Sequence, residues 1–187
     1  DIATVPELQG EKEITIADFG SGVGHGCFSL SKIKNSKITG IDISTDCLEY
    51  AKQFYAADNI SYEICDLAEY ANKMPRFDYV VSRGVFEHIP SGLNVAFSTK
   101  WKQRLLFDVP YNEPEDPNPH HILSGIREEH FANFPESELF YQDLDGVIYD
   151  AKHKPEFANM IMCVSSRPDL SPVSEMHMKF PVPAWRL

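Results

Sequence analysis

The chain has 187 residues, 43% of them hydrophobic, and its 28 acidic against 17 basic side chains leave a net charge of −11. That length suits one domain burying about two-thirds of its unfolded surface. The acidic balance, with no strong run of Lys or Arg, argues against a general affinity for nucleic acid, which draws on clustered cations.

No apolar run reaches the ~20 residues a membrane helix needs, and no signal-peptide pattern is visible. The four cysteines (Cys27, Cys47, Cys65 and Cys163) are widely spaced, with no C-x-x-C pair. Disulfide frameworks and cysteine metal sites therefore have little support, and a reduced, cytoplasmic setting is expected.

Strand and helix signals alternate in chain order, the pattern of a parallel α/β sheet. Ile14 to Asp18 is the first predicted strand, with a helix from about Gly26 to Ile33. Lys37 to Ile43 is the second strand. Ser44 then reads as an N-cap for a helix over Thr45 to Ala57, with Leu48, Ala51, Phe54 and Tyr55 as its apolar face. Ile60 to Cys65 is a third strand ended by Asp66, Tyr79-Val80-Val81 the centre of a fourth, and Arg104 to Val109 a strongly apolar fifth. Between Pro90 and Arg104 a crossover must fit into Ser91–Gln103, barely the dozen residues that parallel neighbours require. Either a trimmed helix fills that interval or residues are missing from it. Glu128 to Phe134 predicts a short helix, Glu138–Tyr141 and Gly146–Tyr149 strand pieces, and Phe157 to Val164 a final strand. Residues 1–166 are expected to form the domain, and 167–187, with four prolines, a tail packed on it or on a partner.

Directly behind the first strand lies Asp18-Phe19-Gly20-Ser21-Gly22-Val23-Gly24. Glycines at a strand–helix turn permit positive φ and let a ligand approach bare backbone, while the helix behind aims its free N–H groups at the same spot. The dinucleotide fingerprint G-x-G-x-x-G fails here: the sixth position is His25 counted from Gly20 and Cys27 counted from Gly22. No Gly-Lys-Ser/Thr triplet follows, so a P-loop is excluded too. Successive strands end in Asp18, Asp42 and Asp66. Asp42 lies twenty-two residues after Gly20, about the spacing that sets a carboxylate against ribose hydroxyls.

The D-x-G-x-G-x-G pattern resembles motif I of the class I S-adenosylmethionine-dependent methyltransferases. The segment Phe77-Asp78-Tyr79-Val80-Val81-Ser82-Arg83-Gly84-Val85-Phe86-Glu87-His88-Ile89-Pro90 is similar to their F-D-x-V-x-x-x-x-x-x-E-H-I/V-P stretch. The resemblance covers Ile14 to Val109. It implies an α/β fold, a Rossmann-like doubly wound, mostly parallel sheet with an antiparallel final strand, in three layers. It implies S-adenosyl-L-methionine as cofactor and S-adenosyl-L-homocysteine as product. Asp18 would attract the methionine ammonium, with Gly20, Ser21, Gly22 and Gly24 as the cradle. Asp42 would take the ribose hydroxyls, Ile43 the adenine face, and Asp66 the exocyclic amine. Leu67 would offer its N–H to the ring, and Ser82 and Arg83 would close the floor.

His88 is a candidate general base, because an imidazole titrates near neutral pH; alternatively Glu87 and His88 only orient the loop. Beyond Val109, the stretch Tyr111 to Ile126 leaves the fifth strand at the ligand edge and suits an acceptor lid. Tyr111 and Glu87 are candidate acceptor contacts, and His120 and His121 candidate catalytic groups. His120 and His121 with Glu113, Glu115 and Asp116 invite a metal reading. Consecutive residues seldom both face one ion, so no metal is expected.

The implied reaction is methyl transfer to oxygen or nitrogen of a small-molecule or sugar-type acceptor, with neither nucleic acid nor membrane as partner; nothing indicates an oligomeric state. The alternative is a non-catalytic module that keeps the cofactor pocket for assembly or regulation. A nicotinamide-dependent oxidoreductase is disfavoured by the missing third glycine.

Overall fold

The computed structural model describes residues 10–71, 73–115 and 118–170. Of the expected tail, 167–187, residues 171–187 lie outside them. Among the described residues, eight strands form one sheet: β1 (Ile14–Phe19), β2 (Ser36–Asp42), β3 (Ile60–Ile64), β4 (Phe77–Arg83), β5 (Trp101–Pro110), β6 (Ser137–Asp143), β7 (Ile148–Asp150) and β8 (Ala158–Ser166). Their order is β3-β2-β1-β4-β5-β8-β6-β7. β1 to β5 run parallel, and β8 enters antiparallel between β5 and β6. The strand order reverses between β1 and β4, so ligands are expected beyond the carboxyl ends of those two strands.

β1 shows why the sheet is buried on both faces. Ala17 and Phe19 join one apolar cluster with Leu67, Phe86, Ala96 and Phe107, while Ile14 and Ile16 join another with Cys27, Leu30 and Ile38. The alternation is that of a strand, whose successive side chains point to opposite faces. α1 (His25–Leu30) covers the second face, and α3 (Leu67–Tyr70) and α4 (Gly92–Ser98) cover the first, giving three layers. Asp18 shares its parity with Ile14 and Ile16, which puts its carboxylate under α1.

α2 (Thr45–Phe54) begins as expected, with the Ser44 hydroxyl accepting from the Cys47 N–H at 3.2 Å. It stops three residues earlier than predicted and its apolar face is narrower. Leu48 and Ala51 are fully buried, but Phe54 is 56% exposed and stacks instead against Tyr50, four residues back, with ring centroids 4.4 Å apart.

The tight interval before β5 is solved by a two-turn helix. α4 spans seven residues, and β5 starts at Trp101 rather than Arg104. The compression is possible because Gly92 rests directly on the backbone of the 3-10 turn Phe86–His88: a Cβ at Gly92 would lie 1.9 Å from the Phe86 carbonyl oxygen. The predicted helix after Glu128 is a single 3-10 turn, Glu128–Phe131. Gly146, at φ 80°, belongs to the β6–β7 turn rather than to β7.

At the end of the sheet away from the glycine turn, Asp78 of the F-D pair clasps β1. It accepts from the Thr15 N–H and hydroxyl, each at 2.8 Å, and from Lys102 at 3.2 Å. Burial alone would raise its pKa, but these donors hold it below the usual carboxylate value.

Candidate cofactor and acceptor site

The glycine turn is built by three glycines with three different surroundings. Gly20, at φ 67°, packs so closely on the chain after β4 that a Cβ would lie 2.2 Å from a Val85 methyl. Gly24, at φ 88°, is pressed on the Tyr62 hydroxyl and Ala51. Gly22, at φ 50°, has nothing within 4 Å of where its Cβ would stand. Only at Gly22, of these three, does the missing side chain face open space, so close approach by a ligand applies there, while Gly20 and Gly24 serve the turn and its packing.

The turn is tied to β2 through Asp42. One carboxylate oxygen accepts from the Gly22 N–H at 2.7 Å and the other from the Ser44 N–H at 2.9 Å. A carboxylate has about four acceptor sites, so each oxygen keeps capacity for another donor. Ile43, next along, is 67% exposed. Asp66 serves as the N-cap of α3, accepting from the Ala68 N–H at 2.8 Å, and Leu67 is buried in the core.

Asp18 is buried, and the Cys27 thiol donates to it at 3.2 Å. Burial is the main reason its pKa is pushed up to about 6; the thiol hydrogen bond opposes this and the Asp42 charge adds to it. Burial and the adjoining carboxylate in turn raise the Cys27 thiol, so Cys27 is an inert donor. The Ser21 hydroxyl is buried and finds no hydrogen-bond partner among the described residues.

At the end of β4, the side chains of Ser82 and Arg83, expected at the cofactor, each have protein partners. The Ser82 hydroxyl donates to the Phe19 carbonyl at 3.2 Å, tying β4 to β1. Arg83 turns toward β5, where its Nε donates to Asp108 at 2.9 Å and its terminal nitrogen reaches Gln142 at 3.3 Å. Asp108, only 2% exposed, also accepts from the Gly84 N–H at 2.8 Å. Sequence reasoning missed Asp108; a carboxylate inside the apolar run Leu105–Val109 was the available signal.

Beyond this loop lies the acceptor end. Glu87 is 2% exposed, burial raises its pKa, and its Oε2 has no hydrogen-bond partner among the described residues. The backbone carbonyl of Glu87 accepts from Ile122 and Leu123 at 2.7 and 3.1 Å, lacing the histidine segment onto the 3-10 turn. His88 donates from Nδ1 to the His120 carbonyl at 2.8 Å, and the rings of His88 and His121 meet edge-on with centroids 4.8 Å apart. His121 carries Glu113 on Nδ1 at 2.5 Å and the Asn118 amide on Nε2 at 2.9 Å. His120, adjacent in sequence, joins through its backbone and leaves its side chain exposed.

Tyr111 belongs to a neighbouring cluster. Its hydroxyl donates to Glu128 at 3.1 Å beside Lys154, and Tyr141 donates to the same carboxylate at 2.8 Å. Burial would raise Glu128, but Lys154 and the two hydroxyls hold it down to about 2. Lys154 and Glu128 were not singled out by sequence, since their partners come from three separate segments.

An α/β sheet with a glycine turn at its switch point and acids at successive strand ends defines a nucleotide-type ligand site. Residues 16–105 match the family model of a methyltransferase domain. Over 94 residues the chain is 36% identical to the demethylmenaquinone methyltransferase of Chlorobaculum tepidum, covering 46% of this chain and 36% of that one. Over 143 residues it is 30% identical to the arsenite methyltransferase of Mus musculus, covering 65% and 38%. The chain thus spans little more than a third of the length of these curated relatives.

Among solved structures, the fold is shared with the Haloferax volcanii complex between the Trm112 methyltransferase activator and a methyltransferase, at 18% identity and TM-score 0.63 over 89% of this chain and 88% of that one. It is also shared with the methyltransferase domain of bacterial CtHen1, at 20% identity and TM-score 0.61 over 82% and 90%. Residues 16–105 thus form a methyltransferase domain of the class I S-adenosylmethionine-dependent family.

The site's residues fit that family's cofactor. An open turn at Gly22, an unpartnered buried hydroxyl at Ser21, and a buried acid at Asp18 suit a ligand that brings its own donors and a positive charge. No helix among the described residues is long and apolar enough to cross a membrane.

Proposed function

We propose that the chain transfers a methyl group from S-adenosylmethionine to oxygen or nitrogen of a small-molecule or sugar-type acceptor. The observation that carries this reading is the adjacency of two parts. The glycine turn rests on Val85, and Val85 opens the 3-10 turn that carries Glu87 and His88 beside His121.

When bound, the cofactor supplies a sulfonium-activated methyl group open to in-line attack. Asp18 binds the ammonium of its methionine end, Asp42 receives the ribose hydroxyls through its remaining lone pairs, and exposed Ile43 lies under the adenine. His88, with Nδ1 committed to the His120 carbonyl, keeps a lone pair on Nε2 to take the acceptor proton. His121, oriented by Glu113, stands beside it. The acidic surface favours a small acceptor over a polyanion.

The test is methyl transfer to a panel of hydroxylated and amino small molecules and glycosides, with RNA oligonucleotides alongside. Turnover is expected on the small molecules. His88→Ala and His121→Ala should each lower kcat by about 10²–10⁴-fold with little change in cofactor affinity. Cofactor binding with no transfer to any acceptor would instead mark a non-catalytic module, and equal loss of kcat and cofactor affinity would mark a structural role for the histidines.

The Asp18 assignment carries its own pH signature. A carboxyl raised to about 6 in the native chain retains protons the unfolded chain has released above about 4. The cofactor-free protein therefore loses stability as pH rises through about 4 to 6, by on the order of 3 kcal/mol. The ammonium binds the ionised form, so cofactor affinity should rise as pH climbs through about 6 and level off above it. Calorimetry across pH 5–8 should show this rise, with proton release on binding near the lower end. Asp18→Asn should flatten the profile and weaken binding at neutral pH by about 2 kcal/mol; an unchanged profile would remove Asp18 from the site.

A further inference from the structure

Glu87, His88 and His121 bring one carboxylate and two imidazoles together, with one ligand atom from each lying within 4.8 Å of the others. The geometry points to a binding site at these three residues for a divalent transition-metal ion of the zinc class.

Three observations converge on it. The Glu87 carboxylate is buried, and its Oε2 has no partner among the described residues, an arrangement that costs stability unless something is to be held there. Both imidazoles have one ring nitrogen committed in the way metal-ligating histidines do, to a backbone carbonyl or a carboxylate. His88 donates from Nδ1 to the His120 carbonyl, which leaves the lone pair on Nε2, the atom 3.9 Å from Glu87 Oε1. His121 accepts the Asn118 amide on Nε2, so Nδ1 is its protonated nitrogen and donates to Glu113; an ion at Nε2 takes the place of that amide.

Third, the two halves of the site are set by backbone rather than by the side chains themselves. Ile122 and Leu123 donate to the Glu87 carbonyl, so the histidine-bearing segment is already laced to the carboxylate-bearing turn.

Ligand atoms about 2.0–2.2 Å from a tetrahedral ion stand roughly 3.4 Å apart, so the trio closes by up to about 1.4 Å on binding. Two neutral imidazoles and one carboxylate suit zinc, cobalt or iron(II) rather than calcium or magnesium, which take oxygen ligands. Three protein ligands leave a position open. With an ion bound, that position would receive the acceptor hydroxyl and the ion would lower its pKa, the proton passing to water; without the ion, His88 Nε2 takes that proton. What the ion holds rests on the methyltransferase reading; that it binds does not.

The test uses the full chain after chelator treatment, titrated with Co²⁺ as a coloured stand-in and back-titrated with Zn²⁺. One Co²⁺ per chain with visible d–d bands, bleached by Zn²⁺, is expected. Glu87→Gln and His121→Ala should weaken Co²⁺ binding by 100-fold or more, and Glu113→Gln, behind the ligand, by roughly 10–100-fold. His153→Ala, at a surface pair with Asp150, should leave it unchanged. Cofactor affinity and melting temperature of each variant show that the fold survives. No cobalt band at saturating metal, or a band indifferent to both Glu87→Gln and His121→Ala, overturns the site. Cobalt held by the trio without methyl transfer to any acceptor would leave the metal site standing and sink the functional reading instead.

Discussion

Gly92→Ala is expected to lower the melting temperature by roughly 5–10 °C, a destabilisation of about 2–3 kcal/mol for one added methyl group. Gly92 opens α4 with its Cα against the backbone of the 3-10 turn that carries Glu87 and His88. The new Cβ would stand 1.9 Å from the Phe86 carbonyl oxygen and 2.8 Å from its carbon. Backbone cannot rotate aside as a flexible side chain can, so either α4 or the 3-10 turn must shift. The interval between Pro90 and β5 has no spare residues to absorb that shift. The variant should therefore lose the proposed methyl transfer more steeply than cofactor affinity, because the clash falls on the 3-10 turn rather than on the glycine turn. Gly125→Ala is the comparator: nothing lies within 4 Å of its Cβ position, and only its φ of 61° opposes the change, a cost of about 1 kcal/mol. Thermal melts of the two variants decide the point, and equal shifts would mean that the Gly92 contact is not what holds α4.

Asp108→Ala should cost about 3 kcal/mol. One buried carboxylate at the end of β5 accepts both the Gly84 N–H and the Arg83 guanidinium across the strand pair, at 2.8 and 2.9 Å. Removing it strands the Gly84 N–H, releases Arg83 and opens a gap at the start of the loop leading to Glu87. Arg83 itself is largely solvent-exposed, so Arg83→Ala is expected to cost less, about 1–2 kcal/mol, chiefly by leaving the Asp108 charge with a single donor. The coupling measured in a double-mutant cycle should then be positive and near 1 kcal/mol. Additive effects would show that Asp108 acts through Gly84 alone. Denaturant unfolding of the four proteins provides the measurement.

Much of the scaffold was legible because it is written in local patterns. β1 announces itself by a short apolar run closed by an acid, α2 by its Ser44 cap, and the glycine turn by spacing that excludes dinucleotide and P-loop geometries. The differences from expectation fall where tertiary packing overrides propensity. Phe54 has the right phase for the core yet stays exposed, since β2 and β3 need only Leu48 and Ala51 from that helix. Arg83, expected at the cofactor, has its guanidinium held by Asp108 of β5. Ser82 spends its hydroxyl on the Phe19 carbonyl, and Asp66 spends one carboxylate oxygen on capping α3.

By itself the sequence determined the class of ligand site: an acid-closed strand, a turn of alternating glycines and a second acid at ribose spacing are features of consecutive residues, and consecutive residues have local geometry. Only the tertiary structure decided which side chains face one another at the acceptor end. His88 and His121 are thirty-three positions apart and His120 is as near in sequence, yet it is His121 that joins Glu87 and His88. Hydrogen bonds from Ile122 and Leu123 to the Glu87 carbonyl set that choice. Such pairing depends on where a returning segment lands on the sheet, and a backbone-to-backbone contact leaves no mark on the identity of the residues that make it.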